Sequence, residues 1–456
     1  MVNAPLPSVV LALSLVMSLL PAPGQAADVS LDSALYPLLD RLWAEGMVTG
    51  YLPDQLPVSV GEAEDLLRDV SGSEDIRILL EAGALVPRLA LEAGDEGFVG
   101  ANRSGIEVTQ GAVAGLKGRA EWGQLSLYGD ARVPADGETE LTEAYVRVTW
   151  GGVRFTAGRE DLWWGPGRRG DLLLTNNAEA LTMFRVDNYP AFTLPGILGN
   201  LGGVRLSFFL SELEEARPAG AVPEPIMGGL KISLMPHRNF VLSLNRTFLF
   251  GGEGEDEDLG ALVDVLLARD GGDGNVIGNQ IGGIMGAWRF PSGAQPFVLY
   301  GELAGEDEAG YLPTKKGYLA GVYLPRLGRS RLFDVRLEAA TTDMPGHRSV
   351  WYQHPNYPYV REGRIMGHRA GNDAEDVFFQ LGIYPAANSR VSLSAARTRR
   401  GVSGTDPDEL VSLGLRADWW KRTYLVRLDL YREDWDDLPA GEEEGDRGEL
   451  SVRVEL

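Results

Sequence analysis

The residues YVRVTW, from Tyr145 to Trp150, decide the fold because apolar side chains occupy every second position. A period of two is typical of a strand whose faces meet different surroundings. The alternation recurs at Val204–Leu210, Phe333–Ala339, Val411–Leu415 and Val452–Leu456. From about residue 102 to the last residue, the pattern gives roughly sixteen to eighteen segments, each near the length of about 9–11 residues that crosses a membrane as a tilted strand. Many positions on the opposite face are charged or glycine, which favours a polar lumen.

A periplasmic β-sandwich or propeller is the structural alternative, since half-buried strands alternate there too. The barrel is favoured because the alternation continues without a second domain boundary and the sequence stops at the end of a strand. Aromatic residues also lie near segment ends, where a barrel places its interfacial girdle. They are Trp122, Trp150, Trp288, Trp419 and Trp420. We predict an all-β transmembrane barrel of antiparallel strands over residues 101–456.

The first 26 residues predict export. Val9–Leu20 is an apolar run of signal-peptide length, and small residues before Ala27 favour cleavage after Ala26. No later apolar run reaches the length of about 18 residues that a transmembrane helix needs. We therefore predict a cleaved signal peptide at residues 1–26 and an outer-membrane location.

The composition excludes several classes of protein. The chain has no cysteine, which rules out disulfides, thiolate nucleophiles and Cys-based metal sites. The formal net charge of −23 argues against binding nucleic acid. An acidic glycan would likewise need a locally basic site rather than attraction to the whole protein.

Residues 27–100 follow a helical rather than a strand period. Leu35, Leu38 and Leu42 fall near one face of a helix. Ser59-x-x-Glu62 and Ser71-x-x-Glu74 each match a capping box. We predict two to four short helices that either plug or cap a barrel from the periplasmic side or form a separate leader domain.

The most unusual stretch is REDLWWGPGRRGDLLLTNNAEALTMFRVDNYPAF, from Arg159 to Phe192. Paired indoles beside amides and guanidinium groups suit a carbohydrate surface, because indoles stack on sugar faces while the polar groups bond hydroxyls and carboxylates. The alternative is aromatic packing inside the fold. The candidates for binding polysaccharide or plugging the lumen are Arg159, Trp163, Trp164, Arg168, Arg169, Asn176 and Asn177.

A second cluster, WYQHPNYPYVREGRIMGHRAGNDAED, spans Trp351 to Asp376. It adds His354, Tyr357, Arg364 and His368 to the same set of candidates. The two histidines have no third histidine nearby, so a zinc site would need remote carboxylates. A turn-rich loop is the favoured interpretation, and we predict no metal site.

The connection from Gly251 to Gly283 begins GGEGEDED and contains a candidate short helix. Its Asp270, Asp273 and Asn275 offer oxygen ligands of the type that calcium takes. Their spacing matches no known calcium loop, so a solvated loop is favoured.

The two unusual stretches resemble, in the right order, the signature regions of the Wzi-type capsule-assembly outer-membrane proteins. Nearly the whole mature chain is covered, through Asn279-Gln280 to the final strand. The resemblance implies a barrel of eighteen strands with an N-terminal helical part, and a role in attaching capsular polysaccharide to the cell surface. Residues that match the motifs are Arg159, Trp163, Trp164, Gly165, Asn176 and Asn177 in the first, and His354, Tyr357, Arg364, Gly367 and His368 in the second.

Two functions remain in play. The first is a non-enzymatic, monomeric barrel that binds capsular polysaccharide or exopolysaccharide and contacts outer-membrane lipid and lipopolysaccharide. The second is a diffusion porin for sugars or anions, with selectivity set by lumen arginines. Those arginines are Arg147, Arg154, Arg205, Arg336 and Arg416. No G-x-S-x-G motif, P-loop or dinucleotide fingerprint occurs, so we predict no enzyme activity and no cofactor.

Overall fold

The computed structural model describes residues 26–80, 85–135, 137–266, 278–309, 312–343, 351–422, 424–435 and 445–456. Apart from Ala26, the expected signal peptide lies outside the described residues. Asp270, Asp273 and Asn275, which the sequence analysis considered as calcium ligands, also lie outside the described residues.

Eighteen long antiparallel strands form a closed barrel in the described part of the chain. Each strand pairs with its neighbour in sequence, and the first pairs with the last, so the sheet has no free edge. The strands are β1 Leu85–Gly94, β2 Gly111–Trp122, β3 Leu125–Pro134, β4 Glu140–Trp150, β5 Val153–Glu160, β6 Leu181–Asn188, β7 Gly203–Glu212, β8 Ile226–His237, β9 Phe240–Phe250, β10 Gly278–Phe290, β11 Phe297–Ala309, β12 Leu312–Leu324, β13 Phe333–Thr341, β14 Ala374–Ile383, β15 Ser389–Arg400, β16 Asp408–Lys421, β17 Tyr424–Trp435 and β18 Gly445–Glu455.

The period of two separates a lipid-facing surface from the lumen, as the sequence predicts. On β4, Val146, Val148 and Trp150 are exposed on the outer surface. Arg147, between them, is fully buried inside the barrel. The barrel prediction is therefore confirmed, and the sandwich and propeller alternatives are excluded.

The predicted aromatic girdle is correct at four of its five positions. Trp122, Trp150, Trp288 and Trp419 are exposed on the outer surface. Trp420 is buried instead, and its indole donates to the carbonyl oxygen of Asp75 at 2.7 Å. The reason is the strand period itself, since two consecutive residues of β16 point to opposite faces.

The two ends of the barrel differ in the length of their connections. At one end, called the turn end, short connections such as Trp150–Val153 and Lys421–Tyr424 join the strands. At the other, called the loop end, the connections include the long stretches 161–180 and 342–373. Outer-membrane barrels keep short turns on the periplasmic side and long loops outside the cell, which orients this one.

Three short helices precede β1: α1 Leu35–Ala44, α2 Val60–Leu67 and α3 Glu74–Arg77. Ser59 caps α2 as predicted, and its hydroxyl accepts from the backbone N–H of Glu62 at 3.2 Å. The predicted cap at Ser71 is wrong, because the residue before α3 is Ser73 and its side chain makes no capping bond. No helix among the described residues is long and apolar enough to cross a membrane, a finding that does not bear on strands.

The helical stretch ends earlier than the expected boundary at residue 100. Leu85–Gly94 already pairs with β2 and β18, so the first barrel strand lies inside the stretch assigned to the helices. Leu89 and Leu91 of β1 are exposed on its outer face, whereas Val86 is buried on its inner face. Closure of the barrel requires this strand, which overrides the weak helical period of its sequence.

Residues 26–80 form a unit that we call the N-terminal plug. Its apolar side chains share one core with the inward-facing Val241, Tyr300 and Leu319 of the barrel wall. The guanidinium group of Arg289, on β10, donates to the carbonyl oxygens of Trp43 and Val48 at 2.5 and 2.6 Å. The helices therefore lie against the inner wall. A fourth helix, α4 Leu259–Leu266, follows the acidic run of the loop after β9, as predicted.

A candidate glycan-binding unit built from two inward segments

The barrel wall holds the plug through charged contacts. Arg147 forms an ion pair with Asp28 of the plug at 2.6 Å, and Arg205 forms one with Glu62 at 2.9 Å. Lys231 approaches Asp54 at 3.2 Å. These carboxylates and cations are buried, and a buried charge is tolerated only when it is paired. The plug thus neutralises cations that would otherwise line an open channel.

All five arginines of the porin hypothesis have acidic partners. The pairs are Arg147 with Asp28 and Glu160, Arg154 with Asp187, Arg205 with Glu62, Arg336 with Asp40, and Arg416 with Asp429, at 2.5 to 2.9 Å. A guanidinium group already bonded to a carboxylate attracts a passing anion weakly. These arginines are therefore poorly suited to attract anions into an open pore.

Residues 161–180, between β5 and β6, form the first inward segment. The backbone of Trp163 exchanges two hydrogen bonds with Leu56 of the plug, each 2.9 Å long. Its indole packs in the plug core and donates to the carbonyl oxygen of Gly167 at 3.1 Å. Trp164 packs edge-on against Phe209, with ring centroids 5.3 Å apart. Only 6% of Trp163 and 1% of Trp164 is exposed, so both indoles contact protein.

The Arg168-Arg169 pair fastens this segment to the plug and to the wall. The guanidinium group of Arg168 donates to both oxygens of Asp40 at 2.7 and 2.9 Å. The backbone N–H groups of Arg168 and Arg169 each donate to the Glu338 carboxylate at 2.8 Å. Burial acts to raise the pKa of Asp40, but Arg168 and Arg336 outweigh it and hold the pKa below its usual value. The ionised Asp40 of the plug therefore binds both the first inward segment, through Arg168, and the barrel wall, through Arg336.

A tight turn in this segment depends on Asp171, which the sequence reasoning missed. The Asp171 side chain accepts from the backbone N–H of Gly167 at 3.0 Å. A Cβ at Gly165 would lie 2.0 Å from the Asp171 oxygen, so a side chain there would displace the carboxyl group. Burial, helped by the nearby Glu302 carboxylate, raises the pKa of Asp171 well above its usual value. The Gly-Pro-Gly turn of the motif thus folds around an acid.

Residues 351–373, between β13 and β14, form the second inward segment, and they bind the first along its length. Two tyrosines that the sequence reasoning did not single out contribute: the hydroxyl of Tyr352 donates to Leu172 and that of Tyr359 to Leu173, each at 2.7 Å. Three further contacts extend the pairing at 2.8 to 2.9 Å. They join Thr175 N–H to Met366 O, Asn177 Nδ2 to Ile365 O, and Arg364 Nε to Asn177 O. The two motifs of the sequence therefore form one unit.

His368 lies at the centre of this unit. It is buried, and its Nδ1 accepts from the backbone N–H of Ala370 at 3.2 Å. Burial lowers the pKa of His368 to about 4, although Asp376 acts in the opposite direction. The ring is therefore neutral at neutral pH.

The eleven candidates divide by exposure. Those with partly exposed side chains at the loop end are Arg159, His354 and Arg364. Arg168 is partly covered, with its guanidinium group bonded to the plug. The buried ones are Trp163, Trp164, Arg169, Asn176, Asn177, Tyr357 and His368. The burial of this larger group favours the lumen-plug half of the prediction for it.

A cavity of about 410 Å³ lies between the plug and the wall on the side where β1 and β18 meet. Its lining contains apolar as well as polar surface, and most of its charged side chains pair with an opposite charge, as Arg132 does with Glu92 at 3.2 Å and Arg427 with Asp418 at 2.5 Å. Because these charges compensate each other, the cavity does not require a charged ligand.

Comparison with known proteins identifies the family. The model of the family described as capsule assembly protein Wzi matches residues 87–455, from β1 to β18. The chain belongs to this family. Capsule assembly is the role that the family's description names, and the matched region is the eighteen-stranded barrel of this chain.

Similar proteins agree with this assignment. A solved structure of Wzi, described as an outer membrane protein of group 1 capsule assembly in Escherichia coli and a carbohydrate-binding β-barrel, has a TM-score of 0.75 at 19% identity. The match covers 94% of this chain and 99% of that one. An uncharacterized 55.8 kDa protein in the cps region of Klebsiella pneumoniae is 26% identical over 209 residues. That match spans 44% of this chain and 41% of the relative.

Outer-membrane porins share the barrel more distantly. OprD from Pseudomonas aeruginosa has a TM-score of 0.50 at 11% identity, over 82% of this chain. Such a likeness concerns the fold alone.

Proposed function

We propose that this barrel binds capsular or related surface polysaccharide at its loop end and helps to attach or assemble it at the cell surface, as a monomer and without catalysing a reaction. The observation that carries the proposal is the family match, which spans the barrel from its first strand to its last. The carbohydrate binding named for the Escherichia coli relative supports it.

Arg159, His354 and Arg364 are the proposed contact residues, because they alone among the candidates combine partial exposure with a place at the loop end. Guanidinium groups bond sugar hydroxyls and uronate carboxylates, the latter in bidentate fashion. Arg159 and Arg364 each already bond the first inward segment, at Glu179 and at the carbonyl oxygen of Asn177. The positions of these two guanidinium groups, and therefore glycan binding, would depend on how the first inward segment is folded.

The remaining candidates are proposed to position this surface. Trp163 and Trp164 fill two apolar cores, Asn177 bonds the second segment, and His368 packs against the first. Their substitution would act through the fold of the inward segments and not through a lost sugar contact.

The porin alternative is less well supported. A conducting lumen needs an open path, whereas here the plug and both inward segments pack against the wall. It also needs cations available to the solute, and the five arginines considered for this role have carboxylate partners.

The test is co-sedimentation of the detergent-purified mature protein with surface polysaccharide from its own host, at low and at near-physiological salt. Saturable binding at both salt concentrations is expected, since hydrogen bonds resist screening better than attraction between separated charges. The Arg159→Ala/Arg364→Ala variant should bind several-fold more weakly. The matched control is Arg399→Ala, which removes a partly exposed arginine of β15 that pairs with Glu375.

Absence of binding at either salt would refute the proposal and leave the porin as the leading function. Recovery of polysaccharide of reduced length would contradict the non-enzymatic part, and a mass in detergent above that of one chain would contradict the monomer.

A further inference from the structure

The helix α4 (Leu259–Leu266) lies on the outside of the barrel. On β9, Thr247 faces the lumen, where its hydroxyl accepts from Tyr359 at 3.0 Å. Strand alternation therefore turns Phe248 and Phe250 outward, on the same face as the exposed Leu244. Both phenylalanines are nevertheless buried, because they share a cluster with Val265 of α4. The helix covers the outer wall near the loop end.

A charged residue of the wall fixes the helix in this place. Arg246, also on the outer face of β9, donates to the carbonyl oxygens of Val265 and Leu266 at 3.1 and 3.2 Å. The last carbonyls of a helix lack partners within it, and their partial negative charge favours a cation. Arginine on the lipid face of a barrel is costly unless its donors are satisfied. The helix end and the arginine thus compensate each other.

The opposite face of α4 is apolar and open. Leu259 is 75% exposed and Val263 is 39% exposed, and Asp264 is the one charged residue in the helix. In water such a helix would leave a large apolar surface unburied. The lipid-facing surface of the wall continues from there, since the neighbouring outward positions on β7 and β9, Leu206 and Leu244, are exposed.

The sequence before the helix marks a boundary. Residues 253–258 read EGEDED and are exposed, and the Asp258 side chain accepts from the backbone N–H of Ala261 at 2.8 Å. Five carboxylates belong in water, whereas the next residues are apolar. The change from charged to apolar residues falls between Asp258 and Leu259, at the loop end of the wall.

We propose that α4 is an interfacial helix whose Leu259 and Val263 lie among the acyl chains of the outer leaflet, just below the head groups, while residues 253–258 stay in water. The partner is lipid, because the open face is continuous with the membrane-facing surface of the barrel. This inference concerns membrane contact and stands apart from the proposal for polysaccharide. The helix would tie the loop after β9 to the membrane surface.

The absence of cysteine makes a direct test simple, since a single introduced cysteine is the only labelling site. Leu259→Cys and Val263→Cys variants are labelled with an environment-sensitive fluorophore and reconstituted into liposomes. Quenching is measured with nitroxide on the lipid acyl chains and with a water-soluble nitroxide. Leu413→Cys, exposed on the outer face of β16, is the control for lipid, and Glu255→Cys is the control for water.

At positions 259 and 263 we expect several-fold stronger quenching from the acyl chains than from the soluble nitroxide, as at position 413. Quenching like that at position 255 would place the helix in water and overturn the proposal. Protection from both quenchers would show a protein cover, such as a second copy, and would overturn it equally. Heat-modifiable migration of each variant verifies that the barrel is folded.

Discussion

Gly170 and His368 touch so closely that the glycine has no room for a side chain. A Cβ at Gly170 would lie 2.5 Å from Cδ2 and 2.8 Å from Nε2 of the histidine. One residue belongs to the first inward segment and the other to the second. The ring of His368 occupies the space that Gly170 leaves, so the two inward segments pack directly against each other here.

The Gly170→Ala variant should separate the two inward segments locally. Overpacking of a buried contact costs about 1–3 kcal/mol, and here the atoms to be displaced belong to a rigid ring. The expected result is a lower free energy of unfolding in detergent, measured with denaturant. The control is Gly129→Ala on β3, where no atom lies within 4 Å of the added methyl group. Equal stability of the two variants would mean that His368 moves aside without cost.

His368 should make the folded state sensitive to acid. Its pKa falls from 6.5 to about 4 on burial. Because the folded-state pKa is the lower one, the stabilising contribution is complete above pH 6.5 and is lost as the pH falls through about 4. The measurement is the free energy of unfolding of the wild type minus that of His368→Gln, between pH 7.5 and 4. This difference should shrink by up to about 3 kcal/mol. A difference independent of pH would show that the ring titrates normally.

The sequence predicted the barrel well because its signal is local. Alternation is visible within a single strand, as at Val146, Arg147 and Val148, and the lipid on one side and the polar lumen on the other enforce it. The local pattern also explains why β1 was assigned to the helical segment. Its apolar residues satisfy either period over ten positions, and pairing with β2 and β18 decides between them.

The site was harder to predict because its contacts join distant parts of the chain. The composition of the two motifs drew attention to two segments that the structure brings together, but it did not show that Trp163 pairs with Leu56 or that Arg168 bonds Asp40. Paired indoles look alike in a sequence whether they meet sugar or protein. Asp171 was missed because an aspartate that follows a glycine in the sequence does not indicate that a turn folds around its side chain.

The two indoles of the first motif should support different parts of the structure. Trp164→Ala removes a side chain from the core shared by the two inward segments, and Trp163→Ala removes one from the plug core. A large buried aromatic side chain replaced by alanine costs about 3–5 kcal/mol. Limited proteolysis should cut the plug in Trp163→Ala sooner than in Trp164→Ala. Trp150→Ala, at a site that is 70% exposed on the outer surface, is the control and should leave cleavage of the plug unchanged. Equal cleavage of the two buried-site variants would contradict the division.

The contact between Arg168 and Asp40 should keep the barrel closed. In planar bilayers the wild type is expected to conduct no current, because the plug and both inward segments pack against the barrel wall. Arg168→Met leaves the buried Asp40 with Arg336 as its remaining cation, and breaking a buried ion pair on one side costs about 3–5 kcal/mol. This variant should show brief openings. Asp40→Asn in the same chain removes the poorly compensated carboxylate, so the double variant should open less often than Arg168→Met alone. Steady conduction by the wild type would contradict the closed lumen, and more frequent opening of the double variant would show that the carboxylate itself holds the plug through Arg336.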